Sequence, residues 1–180
     1  MSNTEIEKKG DTVSDIDVFR RQMTNGRQMT ERYLEDFQTP EQWTLQVHDQ
    51  ANHALWVVGH LAHTDNFLIS LIDPSHAVQR DGWGEKFGMG SRPTGNPADY
   101  PPPEEAVAYL RERRGVLLGL LDNLTEADLD RATPEGAPDF LATVRDTFEL
   151  ASWHEALHVG QLTVARRKLG HSPLVDQSPE

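Results

Sequence analysis

Residues 51–72, ANHALWVVGHLAHTDNFLISLI, decide the fold class. Apolar side chains recur on every side of this stretch at helical spacing. We predict a helix that begins near Asp49 and ends at Asp73-Pro74, because proline disfavours helical geometry in the residue before it. His60 points into one apolar side of this helix, and the opposite side is apolar as well. Such a helix is either central or part of a subunit interface, and in a small bundle we favour the interface.

The rest of the chain also reads as helix, and no segment alternates as a strand does. The first long helix follows the N-cap Ser14 and ends near Pro40. A third long helix starts after three prolines, residues 101–103. The last spans about residues 140–169, where Gly170 supplies the C-terminal stop. Four long helices without a sheet predict an all-α four-helix bundle.

The connection between the second and third long helices, residues 73–103, is rich in glycine and proline. A loop this long is usually a functional lid or an obligatory crossover. A crossover would let the two helices run parallel, with Trp83 and Phe87 anchoring it over one end of the bundle. Its third large side chain is Met89.

Length and charge limit the possible functions. The chain has 180 residues, which fits one domain, and we assign 14–170 to the bundle, 1–13 to a disordered N-terminal segment and 171–180 to a C-terminal tail. A net charge of -12 argues against nucleic acid and anionic membranes as partners. There is no cysteine, which excludes disulfides and thiolate-bound zinc. Without a signal-peptide core or an apolar span, we expect a soluble, cytoplasmic protein.

Two histidines stand one helical turn apart in the segment WHEALHV, residues 153–159. His154 and His158 are separated by roughly 40° around a helix and about 6 Å along it, so both imidazoles can reach one metal ion. His60, centred on an apolar face of the second helix, is our third ligand. His53 and His63 on the same helix stay open as alternatives.

The other histidines need no special account. They lie in predicted loops or termini, where a solvated side chain is the ordinary interpretation: His48, His76 and His171.

The motif H-E-x-x-H also occurs in zinc proteases, but the residues around it do not favour this class of enzyme. In the extended protease motif a glycine and a third histidine follow, and here Gln161 and Val164 occupy those positions. No sheet is predicted along which a peptide substrate would align. A protease is therefore the least favoured enzyme.

Two segments together resemble the DinB/YfiT-like superfamily: ANHALWVVGHLAHTDNF, residues 51–67, and WHEALHVGQLTVARRKLG, residues 153–170. The resemblance covers about residues 14–170. It implies an up-down-down-up four-helix bundle, frequently a homodimer, with a divalent metal on three histidines. Matched position by position, the ligands are His60, His154 and His158. Characterised relatives include transferases and isomerases that use low-molecular-weight thiols such as bacillithiol or mycothiol, and proteins described as metal-dependent hydrolases.

These features predict a divalent-metal-dependent enzyme acting on a small molecule, of the thiol-dependent S-transferase or hydrolase type. The metal is Zn²⁺ or Ni²⁺, with zinc ahead, and a low-molecular-weight thiol is the candidate co-substrate. Glu155 is a candidate general base, or equally a solvated or interface glutamate. Gln161 could orient a ligand or substrate, or instead satisfy backbone or water. The substrate would enter at the end covered by residues 83–89.

Two other functional classes stay open. In one, the metal is structural and the protein is a non-catalytic metal-binding or ligand-binding bundle, or a dimeric scaffold. In the other, no metal binds, and the inward histidines are hydrogen-bonded core residues.

Overall fold

The computed structural model describes residues 13–174, and this range contains six α-helices and no β-strand. The all-α prediction is thereby confirmed for this part of the chain. The predicted disordered segment lies outside the described residues except for Val13, and the predicted tail does so from residue 175 onward. The six helices are α1 (Asp15–Leu34), α2 (Pro40–Trp43), α3 (Ala54–Ile72), α4 (Trp83–Phe87), α5 (Pro103–Asp122) and α6 (Val144–Lys168).

Side-chain caps set the ends of the long helices. The Ser14 hydroxyl accepts the Asp17 N–H at 3.1 Å, which starts α1 where predicted. Thr143 and Asp146 form a capping box, so α6 starts later than the predicted residue 140. Gly170, with a φ of 93°, follows its last turn.

The predicted start of α3 near Asp49 is wrong by five residues. Gln50 has a φ of 59°, which is incompatible with a continuous helix at that point. His53 is the N-cap instead, because its Nδ1 accepts the Trp56 N–H at 3.0 Å. The helix therefore begins at Ala54.

Each of the four long helices packs against two others. α3 lies against α5 and α6, and α1 lies against α6 and α5. Fourteen of the 19 residues of α3 are buried within this single chain. The central placement is thus the correct alternative for α3, and the interface that we favoured is not needed to cover its apolar sides.

The connection that contains α4 packs against the first half of α3. The Trp83 indole N–H donates to the Gly59 carbonyl at 3.1 Å, and the Phe87 ring is fully buried. A Cβ on Gly59 would lie 2.3 Å from Phe87 Cδ1, so this approach needs glycine. Trp83 and Phe87 thus anchor the connection as predicted, whereas Met89 is 95% exposed.

Within residues 13–174, no helix combines the length and the apolar character needed to cross a bilayer.

Candidate metal centre

Three histidines from two helices converge in the bundle, and they are the three predicted ligands. His154 Nε2 lies 3.3 Å from His60 Nε2 and 3.1 Å from His158 Nε2. One ring nitrogen of each lies within 4.8 Å of the other two. His60 and His158 are buried, and His154 is part-exposed. We call these three residues the histidine cluster.

The far ring nitrogens of two cluster members have hydrogen-bond acceptors. His60 Nδ1 lies 2.7 Å from the Phe87 carbonyl oxygen. His158 Nδ1 lies 3.1 Å from Gln161 Oε1, which also accepts from Asn52 Nδ2 at 3.1 Å. An oxygen of this kind only accepts, so these contacts are hydrogen bonds when Nδ1 carries the proton, and the Nε2 lone pair then faces the centre of the cluster.

Trp56 holds the His60 ring from one side. The two rings stack with centroids 4.5 Å apart and an angle of 11° between their planes. The Trp56 indole N–H donates to Ser91 Oγ at 2.9 Å. The segment that follows α4 therefore fixes the tryptophan, and the tryptophan restricts His60.

Burial lowers the pKa of all three histidines of the cluster. Burial lowers the pKa of His60 to about 4, opposed by its hydrogen bond to the Phe87 carbonyl and assisted by His158. Burial lowers the pKa of His154 to about 3, and repulsion from protonated His158 and His60 adds to it. Burial also lowers the pKa of His158, against the hydrogen bond to Gln161. Protons therefore do not compete for these nitrogens at neutral pH.

The cluster fits a divalent cation. Two imidazoles bound at 2.0–2.1 Å to a tetrahedral Zn²⁺ have their nitrogens roughly 3.3 Å apart, close to the distances of 3.1 and 3.3 Å between the Nε2 atoms. With Nδ1 protonated in His60 and His158, His154 can donate one proton to only one of their lone pairs. The other lone pair is left without a donor, and a shared cation would satisfy it.

Glu155, our candidate general base, is held elsewhere. It is 1% exposed, and its Oε1 accepts from Arg27 Nε and from the Thr30 hydroxyl, both at 2.7 Å. Arg114 Nη1 lies 2.8 Å from its Oε2. A carboxylate in two buried ion pairs is not available to take a proton from a substrate, so the geometry contradicts the general-base role and the resemblance to a zinc protease.

Glu155 belongs to a group of four buried charges, one from each long helix. Arg114 binds Asp65 with two hydrogen bonds, 2.8 Å from Nε and 2.9 Å from Nη2. Arg27 bridges Asp65, at 3.1 Å, and Glu155. All four are at most 7% exposed, and we call Arg27, Asp65, Arg114 and Glu155 the charge layer. The charge layer was not predicted from the sequence, although Asp65, an aspartate inside the apolar run of α3, indicated a buried charge.

The remaining histidines lie outside the cluster. His53 is fully buried as the N-cap of α3, which explains why it does not take part in the cluster. His63 is half-buried near Gly84, and burial lowers its pKa. The loop residues are exposed or part-exposed, as predicted: His48, His76 and His171.

Comparison with known proteins gives a family and a fold. The sequence model of the DinB superfamily matches residues 22–162, a range that contains the whole histidine cluster. The chain is also similar to a solved structure described as the conserved protein of locus from Enterococcus faecalis, with a TM-score of 0.61 and 18% sequence identity. The match covers 89% of this chain and 100% of that one, and at this identity it shows the fold alone. No curated protein matches the sequence.

Proposed function

Because this chain belongs to the DinB superfamily, we propose that it is a divalent-metal-dependent enzyme that holds one ion on His60, His154 and His158. The observation that carries the proposal is the convergence of three Nε2 atoms, while Nδ1 of His60 and of His158 is hydrogen-bonded away from the centre. Such outward hydrogen bonds are what metal-binding histidines usually make.

The donor set favours Zn²⁺, with Ni²⁺ as second choice. All three donors are imidazole nitrogens, which suit both metals, and the chain has no cysteine that would favour softer ions. Three neutral ligands leave the ion its full charge and an open coordination position.

For the reaction we propose S-transfer to or from a low-molecular-weight thiol, or hydrolysis, with a small molecule as substrate. The bound ion would supply electrophilic activation of a thiol or of water. The chain itself limits access, because Phe87 packs on α3 beside His60, whereas His154 is part-exposed. We therefore place the substrate on the His154 side and not under residues 83–89, where we first expected it. Gln161 serves to orient His158.

The test is elemental analysis of the purified protein beside two variants. We expect close to one divalent ion per chain in the wild type, and loss of the ion in His60→Ala. His63→Ala is the matched control, because His63 lies one turn further on the same helix and outside the cluster. No metal in the wild type after reconstitution with Zn²⁺ and Ni²⁺ would overturn the proposal.

The alternative is a non-catalytic metal-binding bundle or scaffold, and the same variant separates the two. If the protein is an enzyme, His60→Ala abolishes thiol transfer or hydrolysis with a modest loss of stability. If the metal is structural, the variant loses stability in step with the metal, and no turnover is found in the wild type.

We further propose that the protein is a homodimer. Support comes from α6, which presents three large apolar side chains within about 40° of one another. They are Trp153, Leu157 and Val164, exposed by 56%, 56% and 52%. Light scattering would test this with Leu157→Glu, which we expect to be monomeric. Phe140→Glu is the control, since Phe140 is 67% exposed but lies before α6.

We also propose the up-down-down-up topology for the four long helices. In support, Phe19 stacks on Phe148 and Tyr33 lies against Arg166, so contacts advance in the same direction along α1 and α6. Contacts between α3 and α6 advance in opposite directions, from Trp56 beside His158 to His60 beside His154.

A further inference from the structure

Building on the proposed metal centre, we propose that the Phe87 carbonyl and Gln161, with Asn52 behind it, are positioning groups that fix the tautomers of two ligands. They hold His60 and His158 with the proton on Nδ1 and the lone pair on Nε2, in the protein without metal as well as with it. His154 is not fixed in this way, because no group among residues 13–174 hydrogen-bonds its Nδ1.

The tautomer of His60 follows from its partner. A carbonyl oxygen can only accept, so His60 Nδ1, 2.7 Å away, must donate. Phe87 is the last residue of α4, where helix carbonyls lack an intrahelical partner. Its ring is fully buried against Gly59, where no Cβ would fit. The acceptor is therefore rigid, and it belongs to the connection between α3 and α5.

The tautomer of His158 follows from two side chains. Asn52 donates to Gln161 Oε1, so Gln161 presents an oxygen and not its amide nitrogen to His158 Nδ1. Asn52 lies in the segment before α3, and Gln161 lies on α6 close to one turn beyond His158. The hydrogen-bonded chain thus joins the ligand to a part of the protein outside the two ligand helices.

Consequently both buried ligands are ready to bind before the ion arrives, and His154 is the ligand that adjusts. A histidine that carries its proton on Nε2 must lose it from that nitrogen before binding, and this lowers the affinity for the metal ion at neutral pH. Loss of an outer hydrogen-bond partner of a metal-binding histidine typically lowers affinity 10- to 100-fold. We expect a decrease of this size when His158 loses the Gln161 oxygen as its acceptor.

The test is long-range ¹⁵N–¹H NMR of histidine-labelled, metal-stripped protein at pH 7.5, which reports which ring nitrogen carries the proton. We expect Nδ1–H for His60 and His158. In Gln161→Leu, His158 should shift towards Nε2–H while His60 stays unchanged, and the Zn²⁺ dissociation constant should rise 10- to 100-fold. Gln161→Glu keeps an acceptor oxygen and should keep Nδ1–H.

Controls separate positioning from folding. Gln28→Leu, at an exposed position of α1, should change neither the NMR signature nor the Zn²⁺ affinity. If Gln161→Leu does not fold, the same NMR measurement on His158 is made with Asn52→Ala, because Asn52 lies outside the helices. Nδ1–H tautomers that persist in Gln161→Leu, or Nε2–H tautomers in the metal-stripped wild type, would overturn the inference.

The NMR result is independent of the proposed function. Wild-type protein with Nδ1–H tautomers but no Zn²⁺ binding would support the positioning role and reject the metal centre. Wild-type protein that binds Zn²⁺ with His158 in the Nε2–H form would support the metal centre and reject the positioning role.

Discussion

The charge layer and the histidine cluster are neighbouring polar groups inside the same bundle, and both draw on α3 and α6. In the charge layer two guanidinium groups face two carboxylates, so the formal charges cancel and each ion has a partner. In the histidine cluster three like nitrogens face one another. The first group is complete without any addition, and the second leaves lone pairs that the protein does not satisfy.

This difference separates a structural polar group from a binding site. A buried polar group that serves the fold is matched by its own chain, because unmatched burial costs free energy. A site keeps donors that only a ligand completes. Since the two groups lie close enough for Asp65 and Arg114 to influence the pKa of His154, they can be compared in one environment.

The largest effect that we predict is on the charge layer. Asp65→Asn leaves the guanidinium groups of Arg27 and Arg114 with one carboxylate between them, and removal of one partner from a buried ion pair costs about 3–5 kcal/mol. We expect the free energy of unfolding, measured in urea, to fall by that amount. Asp122→Asn is the matched control, because its ion pair with Arg20 is exposed and is worth about 0–1 kcal/mol. Equal effects of the two substitutions would show that the layer is not structural.

His53 gives the second prediction, since it is a buried histidine with a structural role. Burial lowers its pKa from 6.5 to about 4, so between these values the unfolded chain binds more protons than the folded one. Stability therefore falls as the pH drops from 6.5 to 4, by up to about 3 kcal/mol from this residue. His53→Asn keeps an N-cap acceptor without the titration.

Denaturation at a series of pH values measures this contribution. Between pH 6.5 and 4, His53→Asn should lose less stability than the wild type. The slope of its free energy of unfolding against pH should be smaller by the contribution of about one proton. The cluster histidines contribute equally to both proteins and cancel in the difference. His48→Asn, the same substitution at an exposed loop position, is the matched control. A slope unchanged in His53→Asn would mean that His53 does not titrate as its burial implies.

Gly59→Ala is the third prediction and acts on the surroundings of the cluster. The new methyl group would overlap the Phe87 ring, and overpacking of this kind costs about 1–3 kcal/mol. Gly119→Ala is the control on α5, where a Cβ meets nothing within 4 Å, and there we expect a gain of up to about 1 kcal/mol. Thermal unfolding of both variants measures the difference. A Gly59→Ala protein as stable as Gly119→Ala would show that Phe87 is not held against α3.

The sequence predicted much of the fold, because apolar spacing and proline or glycine stops report helices directly. It misplaced the start of α3, since histidine is not among the usual N-cap residues. It also missed α2, although Thr39 and Gln42 have the spacing of a capping box and do form one. In both cases the missing information was which side chain accepts a backbone N–H.

The three histidines of the cluster were predicted from spacing, but their surroundings were not. Arg27 and Arg114 look like ordinary exposed helix residues in the sequence, and burial by distant elements decides otherwise. Glu155 lies on a different side of α6 from His158. Only the packing of α1 shows that Arg27 and Thr30 hydrogen-bond to it on that side. The Phe87 acceptor is a backbone atom, for which the sequence carries no signal.

His154→Ala in metal-free protein has the smallest predicted effect and tests the comparison most directly. His154 is part-exposed, lacks a hydrogen bond at Nδ1 among the described residues, and can donate to only one of the two Nε2 lone pairs that it faces. Its removal should therefore cost less than about 1 kcal/mol, in the range of ordinary surface substitutions. With Zn²⁺ at 100 times the dissociation constant, the wild type should gain about 2.7 kcal/mol and the variant should not. A loss of several kcal/mol without metal would instead show that the fold itself requires the cluster, as it requires the charge layer.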